Sequence, residues 1–383
     1  MRRRSAVTAA TAVVLLLGTS GCVDGDEGPG PPTVTAEPSD TEDTEDTEER
    51  PDPTTAGPSG EPGPPRVVGT AAQDLRAPWG IDFLPDGTAI VTERDTRRVL
   101  AVEDGEVTEI GVIEEAAPEG EAGLLGVAVS PDFAQDRMIY LYVTTAEDNR
   151  VVRARLAGGG LGPPEVVLDG IPKGFIHDGG RLEFGPDGHL YVSTGETGDG
   201  ALAQDRGSLA GKILRITPDG APAPGNPDPD SPVWTWGHRN VQGLAFDDRD
   251  RLWASEFGAS TFDELNLIEQ GSNYGWPQVE GRGEDPDLTN PQVVWNTSEA
   301  SPSGLAFLDG RLWMAALQGE RLWRIGLDGA RASRPTDFFV GKYGRMRTVV
   351  VAPDGKLWVT TSNHDGRGDP AARDDRILVV EPG

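Results

Sequence analysis

One phrase recurs six times between residues 83 and 363, and it limits the folds that are open to this chain. Each copy is an apolar residue, a turn of the Pro-Asp-Gly type and a short apolar strand. In such turns proline fixes φ, aspartate bonds its own backbone and glycine takes positive φ. The segment after each turn alternates with period two, which predicts a half-buried strand. The copies, about 45 to 65 residues apart, are "FLPDGTAIVTE", "VSPDFAQDRMIYLYVT", "FGPDGHLYVSTGE", "FDDRDRLWASEFG", "FLDGRLWMAALQG" and "VAPDGKLWVTTSN".

A second phrase follows each copy and reads as another strand that ends in a turn. Its six forms are "RRVLAVEDG", "RVVRARLAGG", "GKILRITPDG", "DELNLIEQG", "RLWRIGLDG" and "DRILVVEPG". Two recognisable strands per period, six periods and almost no helix signal predict an all-β chain over residues 66–383. We expect a six-bladed β-propeller of four-stranded antiparallel sheets. Because the last strand reaches the chain end, we expect a terminal strand to close the ring against the first blade.

The first 22 residues predict export. Three arginines precede the apolar run "AVTAATAVVLLLG", and the following "TSGC" resembles a lipobox with Cys22 as the lipidated residue. The run is too short to favour a permanent transmembrane helix. The alternative is ordinary signal cleavage near the same place, which leaves a free thiol. The protein is then expected on the outer face of the cell membrane through a lipid anchor, or secreted.

Residues 23–65 are rich in acidic residues, proline and threonine, and hold thirteen carboxylates against Arg50 alone. Such a segment buries too little apolar surface to offset its ordering entropy, so we expect a disordered tether. The whole chain has a formal charge of −29, and residues 66–383 keep −20 of it. This charge argues against nucleic-acid binding, which needs a basic face. A single cysteine excludes an internal disulfide framework.

Departures from the repeat are where function is expected, at loops around one end of the channel. His177 precedes a strand and Glu196 closes the hairpin, which suits a general base with a carboxylate partner. Arg239 with Asn240 suits an anionic or carbonyl-rich ligand. The alternatives are a loop histidine without a role and a surface arginine paired with one of many carboxylates.

Two further departures concern charged side chains. Glu256, Asp263 and Glu264 lie in a glycine-containing stretch, and oxygen-only ligands favour Ca²⁺. The alternative is a solvated acidic loop. Arg345 and Arg347 alternate and therefore share a face of an extended segment. They need an anion, either a protein carboxylate or a ligand with several carboxylates.

Several long motifs resemble one known family. The segments "GEAGLLGVAVSPDF", "HDGGRLEFGPDGHLYVSTGE", "AQDRGSLAGKILRITPDG", "GHRNVQGLAF", "DELNLIEQGSNYGWP" and "RMR" occur in the order seen in the quinoprotein aldose sugar dehydrogenases, which include the soluble PQQ glucose dehydrogenases. The resemblance covers residues 66–383, and the family fold is a six-bladed propeller.

The resemblance implies PQQ and Ca²⁺ as cofactors and an aldose as substrate. The sugar would be oxidised at its anomeric carbon to the lactone, with electrons passed to an external acceptor. His177 would be the general base, Glu196 its partner, and Arg239 the cation beside the oxygen that becomes anionic.

The resemblance also implies metal ligands and cofactor contacts. The carbonyls of Gly258 and Ala259 would bind the calcium that polarises PQQ. Glu264 with the carbonyl of Tyr274 would bind a second, structural calcium. The residues implied to contact PQQ are Glu121, Arg239, Asn240, Ala316, Leu317, Gln318, Arg345, Met346 and Arg347.

Two departures from the family pattern reduce the positive charge expected around PQQ. Glu121 stands where a glutamine is common, and Gln318 where a lysine is common. Both weaken the attraction for a tricarboxylate. Two alternatives therefore stay open: a calcium-dependent propeller lactonase that works without PQQ, and a non-catalytic, lipid-anchored binding propeller.

Overall fold

The computed structural model describes residues 63–383, so the predicted signal peptide with Cys22 and most of the predicted tether lie outside the described residues. Two four-residue helices, α1 (Phe133–Asp136) and α2 (Ala201–Gln204), interrupt an otherwise β structure. Within residues 63–383 no helix has the length and apolar character required to span a bilayer. In chain order the strands are β1 (Arg66–Ala72), β2 (Pro78–Phe83), β3 (Ala89–Glu93), β4 (Arg98–Glu103), β5 (Glu106–Val112), β6 (Leu124–Val129), β7 (Met138–Thr144), β8 (Asn149–Ala157), β9 (Gly160–Leu161), β10 (Glu165–Ile171), β11 (Leu182–Phe184), β12 (Leu190–Ser193), β13 (Lys212–Ile216), β14 (Val233–Trp236), β15 (Val241–Phe246), β16 (Leu252–Glu256), β17 (Phe262–Ile268), β18 (Val293–Asn296), β19 (Pro302–Leu308), β20 (Arg311–Ala316), β21 (Arg321–Asp328), β22 (Arg331–Phe338), β23 (Met346–Val351), β24 (Leu357–Thr361) and β25 (Ile377–Glu381).

The strands of the described chain form six antiparallel sheets, which are the blades of a propeller. Their orders are β2-β3-β4-β5, β6-β7-β8-β10, β11-β12-β13-β14, β15-β16-β17-β18, β19-β20-β21-β22 and β23-β24-β25-β1, with the short β9 added beside β8. The first-named strand of each sheet contacts the first-named strands of its two neighbours, so these six inner strands surround a central channel. The six-bladed propeller predicted from the repeat is confirmed.

Ring closure differs in detail from the sequence expectation. The last strand, β25, is not added to the first blade, because it lies third in its own blade beside β24. The first strand, β1, completes that last blade as its outer strand, with Val67 opposite Val380. Closure therefore joins the start of the described chain to its end within one sheet.

The predicted turns form, but the strands after them are more buried than expected. In the first copy Gly87 has φ 94° and donates its N–H to the carbonyl of Leu84 at 2.9 Å, while Asp86 accepts the N–H of Thr88 at 3.0 Å. Strand β3, however, is buried at every position, as is β16. The half-buried pattern is wrong for these strands because neighbouring blades cover both of their faces.

A cation–aromatic cluster lies in the channel. The indole ring of Trp79 lies 4.4 Å from the guanidinium carbon of Arg181 and 5.8 Å from that of Arg347. Arg181 is held by the carbonyl of Gln242 at 2.8 Å and the hydroxyl of Thr348 at 3.1 Å. The cavities on the two sides share no lining residue. The cluster therefore borders both cavities, with Arg181 on one and Arg347 on the other.

Candidate functional site

His177 lies on the loop before β11 and is paired with Glu196. Its Nδ1 is hydrogen-bonded to the Glu196 carboxylate, and its side chain is 12% exposed. Its φ of 59° is in the left-handed region, where the backbone is held at both ends. The N–H of His177 donates to Glu121 at 3.0 Å, and the N–H of Thr197 donates to its carbonyl at 3.2 Å. Since Nδ1 is occupied, Nε2 is the nitrogen left to accept a proton.

Arg239, immediately before β15, brings a cation to the same place. Its carbonyl accepts the N–H of Glu196 at 2.8 Å, and its guanidinium donates to the carbonyl of Phe257 at 3.3 Å and lies 5.4 Å from the ring of Trp276. Burial lowers the pKa of Arg239, and nearby carboxylates, first Glu196, oppose that effect. Within residues 63–383 no carboxylate comes within 4.0 Å of this guanidinium. The interpretation of a surface arginine in an ion pair is therefore wrong.

Asn240 ties the two loops together. It is buried, and its Oδ1 accepts the N–H of Gly179 at 3.0 Å. An isolated β-bridge joins Asn240 to Gly195. This places the Arg239 loop directly against the loop that carries His177.

Arg345 and Arg347 share one carboxylate that the sequence reasoning missed. Asp365 accepts from Nε of Arg345 at 2.9 Å and from Nη2 of Arg347 at 3.4 Å. Burial lowers the pKa of Arg347 to about 10, and its positive neighbours outweigh part of the attraction of Asp365. The anion that this pair needs is thus supplied in part by the protein. Arg345 is buried against Asp365, whereas Arg347 also reaches an open cavity.

That cavity is a small opening with a volume of about 20 Å³. It lies at the end of the channel where the inner strands begin. Three of its lining residues, Glu121, Leu317 and Arg347, were predicted as cofactor contacts, and the other six were not. The lining residues are Arg94, Gly120, Glu121, Gln242, Phe257, Leu317, Arg347, Asp365 and Arg367.

The cavity connects the catalytic candidates. Glu121 is part of its wall and also accepts the N–H of His177, and Phe257 is part of its wall and binds Arg239. Arg347 lines it directly. The predicted base and Arg239 therefore each contact a lining residue of the cavity, and Arg347 lines it.

Three predicted cofactor contacts are less direct. Ala316 and Met346 are fully buried, so only their backbone could meet a ligand. Gln318 is exposed and does not line the cavity, although the adjacent Leu317 does. These contacts stay predictions.

The loop predicted to hold the first calcium is organised by Glu280, which the sequence reasoning did not identify. One oxygen of Glu280 accepts four consecutive backbone N–H groups, at 2.7 to 3.1 Å, from residues 259–262. A Cβ at Gly258 would lie 1.9 Å from the carbonyl of Phe262, so glycine is required there. Burial raises the pKa of Glu280, but the four donors outweigh it and hold the pKa below its usual value. Because the N–H groups of the loop point to Glu280, the carbonyls of Gly258 and Ala259 can be directed to a metal ion.

The predicted second calcium site has a buried oxygen without a donor. Asn266 donates to Glu264 at 3.1 Å and to Glu256 at 3.4 Å, and its own Oδ1 is buried and unpaired. Burial, and then the charge of Glu256, raises the pKa of Glu264 to about 8. Desolvated carboxylates beside an unpaired amide oxygen fit a hard cation such as Ca²⁺.

Other members of this stretch serve the fold. Asp263 accepts the N–H groups of Gly258 and Ser301. The ring of Tyr274 stacks on His238 with centroids 4.6 Å apart, so its carbonyl, not its ring, is the candidate ligand. Among residues 63–383 no three His, Cys, Asp or Glu side chains converge on a common point. A calcium ion here would therefore depend on amide and backbone oxygens.

Comparisons with known proteins find related sequences and a similar fold. The sequence model of glucose/sorbosone dehydrogenases matches residues 75–373. The PQQ-bound aldose sugar dehydrogenase of Streptomyces coelicolor is 54% identical, covers 83% of this chain and 97% of its own, and superimposes with a TM-score of 0.81. Aldose sugar dehydrogenase of Escherichia coli is 29% identical over 76% of this chain and 89% of its own. Quinoprotein glucose dehydrogenase B of Acinetobacter calcoaceticus is 33% identical over 55% of this chain and 52% of its own.

Proposed function

The chain belongs to the glucose/sorbosone dehydrogenase family, and from this premise we propose that it is a PQQ- and calcium-dependent dehydrogenase of aldose sugars. Its proposed product is the lactone, and its electrons pass to an external acceptor. The observation that carries the proposal is the unpaired, partly buried guanidinium of Arg239 beside the His177–Glu196 pair. A base next to an unneutralised cation suits a reaction that removes a proton and builds negative charge on a ligand oxygen.

The residues of this chain divide the work as follows. Nε2 of His177 accepts the proton of the anomeric hydroxyl, because Nδ1 is engaged by Glu196. The negative charge of Glu196 then stabilises the imidazolium that forms. Arg239 directs its positive charge at the oxygen on which negative charge builds. Bound PQQ supplies the acceptor for the hydride that leaves the sugar carbon.

The residues present fit both cofactors. Arg94, Arg347 and Arg367 outnumber the two carboxylates of the wall, Glu121 and Asp365, by one charge, which suits a tricarboxylate, and Leu317 and Phe257 give apolar surface for a flat ring system. The carbonyls of Gly258 and Ala259 would hold the calcium next to PQQ. Glu264, with the carbonyl of Tyr274 and the unpaired Oδ1 of Asn266, would hold the other.

Reconstitution tests this function directly. The protein is loaded with PQQ and Ca²⁺, and aldoses are assayed with an artificial electron acceptor. We expect turnover that requires both PQQ and Ca²⁺. No turnover on any aldose, together with no PQQ-dependent spectral change, would contradict the proposal. Lactone hydrolysis without PQQ, abolished by a chelator, would favour the lactonase instead.

We also propose export with a lipid anchor at Cys22, supported by the charged, apolar and small-residue order of the first 22 residues. A Cys22→Ser variant should then move from the membrane fraction to the soluble fraction. Unchanged partition between the two fractions would refute the anchor.

A further inference from the structure

Arg367, on the segment between β24 and β25, is the exposed cation of the cavity wall. It is 54% exposed and pairs with Glu121 at 2.8 Å. The other two lining arginines are buried: Arg94 is bound to Asp95 at 2.6 Å, and Arg347 is shared with Asp365. Exposed ion pairs contribute little to stability, so Arg367 can exchange its partner at small cost.

Glu121 has two roles that fix its charge. One oxygen accepts the N–H of His177 and the other accepts from Arg367. Burial raises the pKa of Glu121, but the His177 N–H and Arg367 outweigh it and hold the pKa below its usual value. Glu121 is therefore an anion at neutral pH. An anion in this wall repels an acidic ligand unless a cation neutralises it.

Position 318, where a lysine is common in the family, carries no positive charge in this chain. Gln318 is exposed, carries no charge and does not line the cavity. Arg367 reaches the same cavity from a different blade. Arg367 therefore gives the cavity wall a positive charge that position 318 does not supply.

We propose that Arg367 is a cofactor-binding residue that neutralises Glu121 in the empty protein and turns to a carboxylate of PQQ when the cofactor enters. This inference rests on the proposed function. When Arg367 leaves, Glu121 still accepts the N–H of His177, so the loop that carries the base keeps its position. Cofactor entry is then an exchange of one ion pair for another, in which Glu121 keeps the His177 N–H as its donor.

The test measures PQQ affinity and not turnover. PQQ is titrated into the calcium-loaded protein and followed by tryptophan fluorescence. Arg367→Gln should raise the dissociation constant for PQQ about tenfold, because one charge-assisted contact is lost. Arg373→Gln is the matched control: an exposed arginine of the same segment, with the same change of charge, that does not line the cavity. We expect its affinity to stay within twofold of the unaltered protein.

Glu121→Gln completes the design. It removes the competitor for Arg367, so PQQ should bind about threefold more tightly. In the double variant with Arg367→Gln, affinity should recover part of the loss, because the repulsion is gone as well. A thermal melt of each variant shows that it is folded.

The outcomes separate the two proposals. If the unaltered protein binds PQQ but Arg367→Gln and Arg373→Gln bind it equally, the role of Arg367 is refuted and the proposed function stands. If the unaltered protein does not bind PQQ, both fail.

Discussion

At the scale of single residues, His177 is held in a backbone conformation that residues with a side chain rarely adopt. Contacts from Glu121, Glu196 and Thr197 fix its two backbone polar groups and its ring. Such strain persists only where the surroundings impose it, and it concentrates at functional sites. Orientation of the imidazole is therefore set before any ligand arrives.

Replacement of His177 by alanine should remove the general base and leave cofactor binding almost unchanged. We expect turnover to fall roughly 100- to 10,000-fold, the usual contribution of a positioned base. PQQ affinity should change by less than threefold, because the cavity wall does not include the imidazole. Steady-state kinetics and a PQQ titration measure the two effects separately. A parallel loss of affinity and turnover would mean that His177 is a binding residue.

The pairing of His177 with Glu196 could be predicted because the two residues flank one hairpin. One precedes β11 and the other follows β12, and antiparallel strands return the chain to the same end of the sheet. Arg94, Asp365 and Arg367 could not be predicted in this way. They meet across blades from loops without a repeated pattern, so only the closed ring brings them together.

At the scale of elements, the loop between β16 and β17 is a backbone cradle closed by one distant carboxylate. Four N–H groups that converge on one oxygen orient the whole loop, and a charged acceptor makes such bonds stronger than a neutral one. Glu280 comes from a different segment, after β17. The sequence showed a glycine-containing acidic stretch but not which carboxylate organises it.

A Glu280→Gln change keeps the size of the side chain and removes its charge. We expect about tenfold weaker calcium binding and a melting temperature lowered by roughly 2–4 °C, since weakening these partly exposed bonds costs about 1 kcal/mol or somewhat more. Calcium titration calorimetry and thermal melts with and without chelator measure the two quantities. Glu284→Gln, an exposed residue of the same segment, is the control. Equal calcium affinity in both variants would show that the cradle does not position the metal.

Strands were predicted correctly from the sequence where they adjoin a turn with a recognisable sequence. The second and third strands of each blade follow Pro-Asp-Gly-type turns or end in them, and all twelve strands form. The outer strands were not located, because they are short or exposed and carry no repeated phrase. Strand β5, for example, has four exposed residues in succession.

At the scale of the whole molecule, one strand closes the ring. β1 covers the edge of β25, and Val67 packs on the apolar cluster that contains Val380. A protein that begins at residue 73 should melt many degrees below one that begins at residue 63, because an apolar edge strand is left unpaired. Calorimetry and size-exclusion chromatography would detect the lower melting temperature and the association of exposed edges. Equal melting temperatures would show that the ring is closed without β1.

The far cavity, lined by the C-terminal ends of the inner strands, predicts a pH dependence. Burial, and then the charge of Asp82, raises the pKa of Glu183 to about 8. The folded pKa therefore exceeds the unfolded one, so stability from this group is present at acid pH and is lost as the pH rises through 8. Glu183→Gln should raise the melting temperature at pH 9 by about 2 °C more than at pH 6. The exposed Glu103→Gln is the control, and a uniform shift at both pH values would contradict the assignment.

Trp79 and its two neighbouring arginines lie in the channel, with Arg181 on the cavity at one end and Arg347 on the cavity at the other. Under the proposed function, sugar and oxidant would reach the cofactor in turn from the end of the channel that carries His177. Such a turnover cycle proceeds in two half-reactions, and the product of the first leaves before the second substrate binds. Initial rates measured at several oxidant concentrations should accordingly give parallel double-reciprocal lines. Intersecting lines would require a second route by which substrates reach the cofactor.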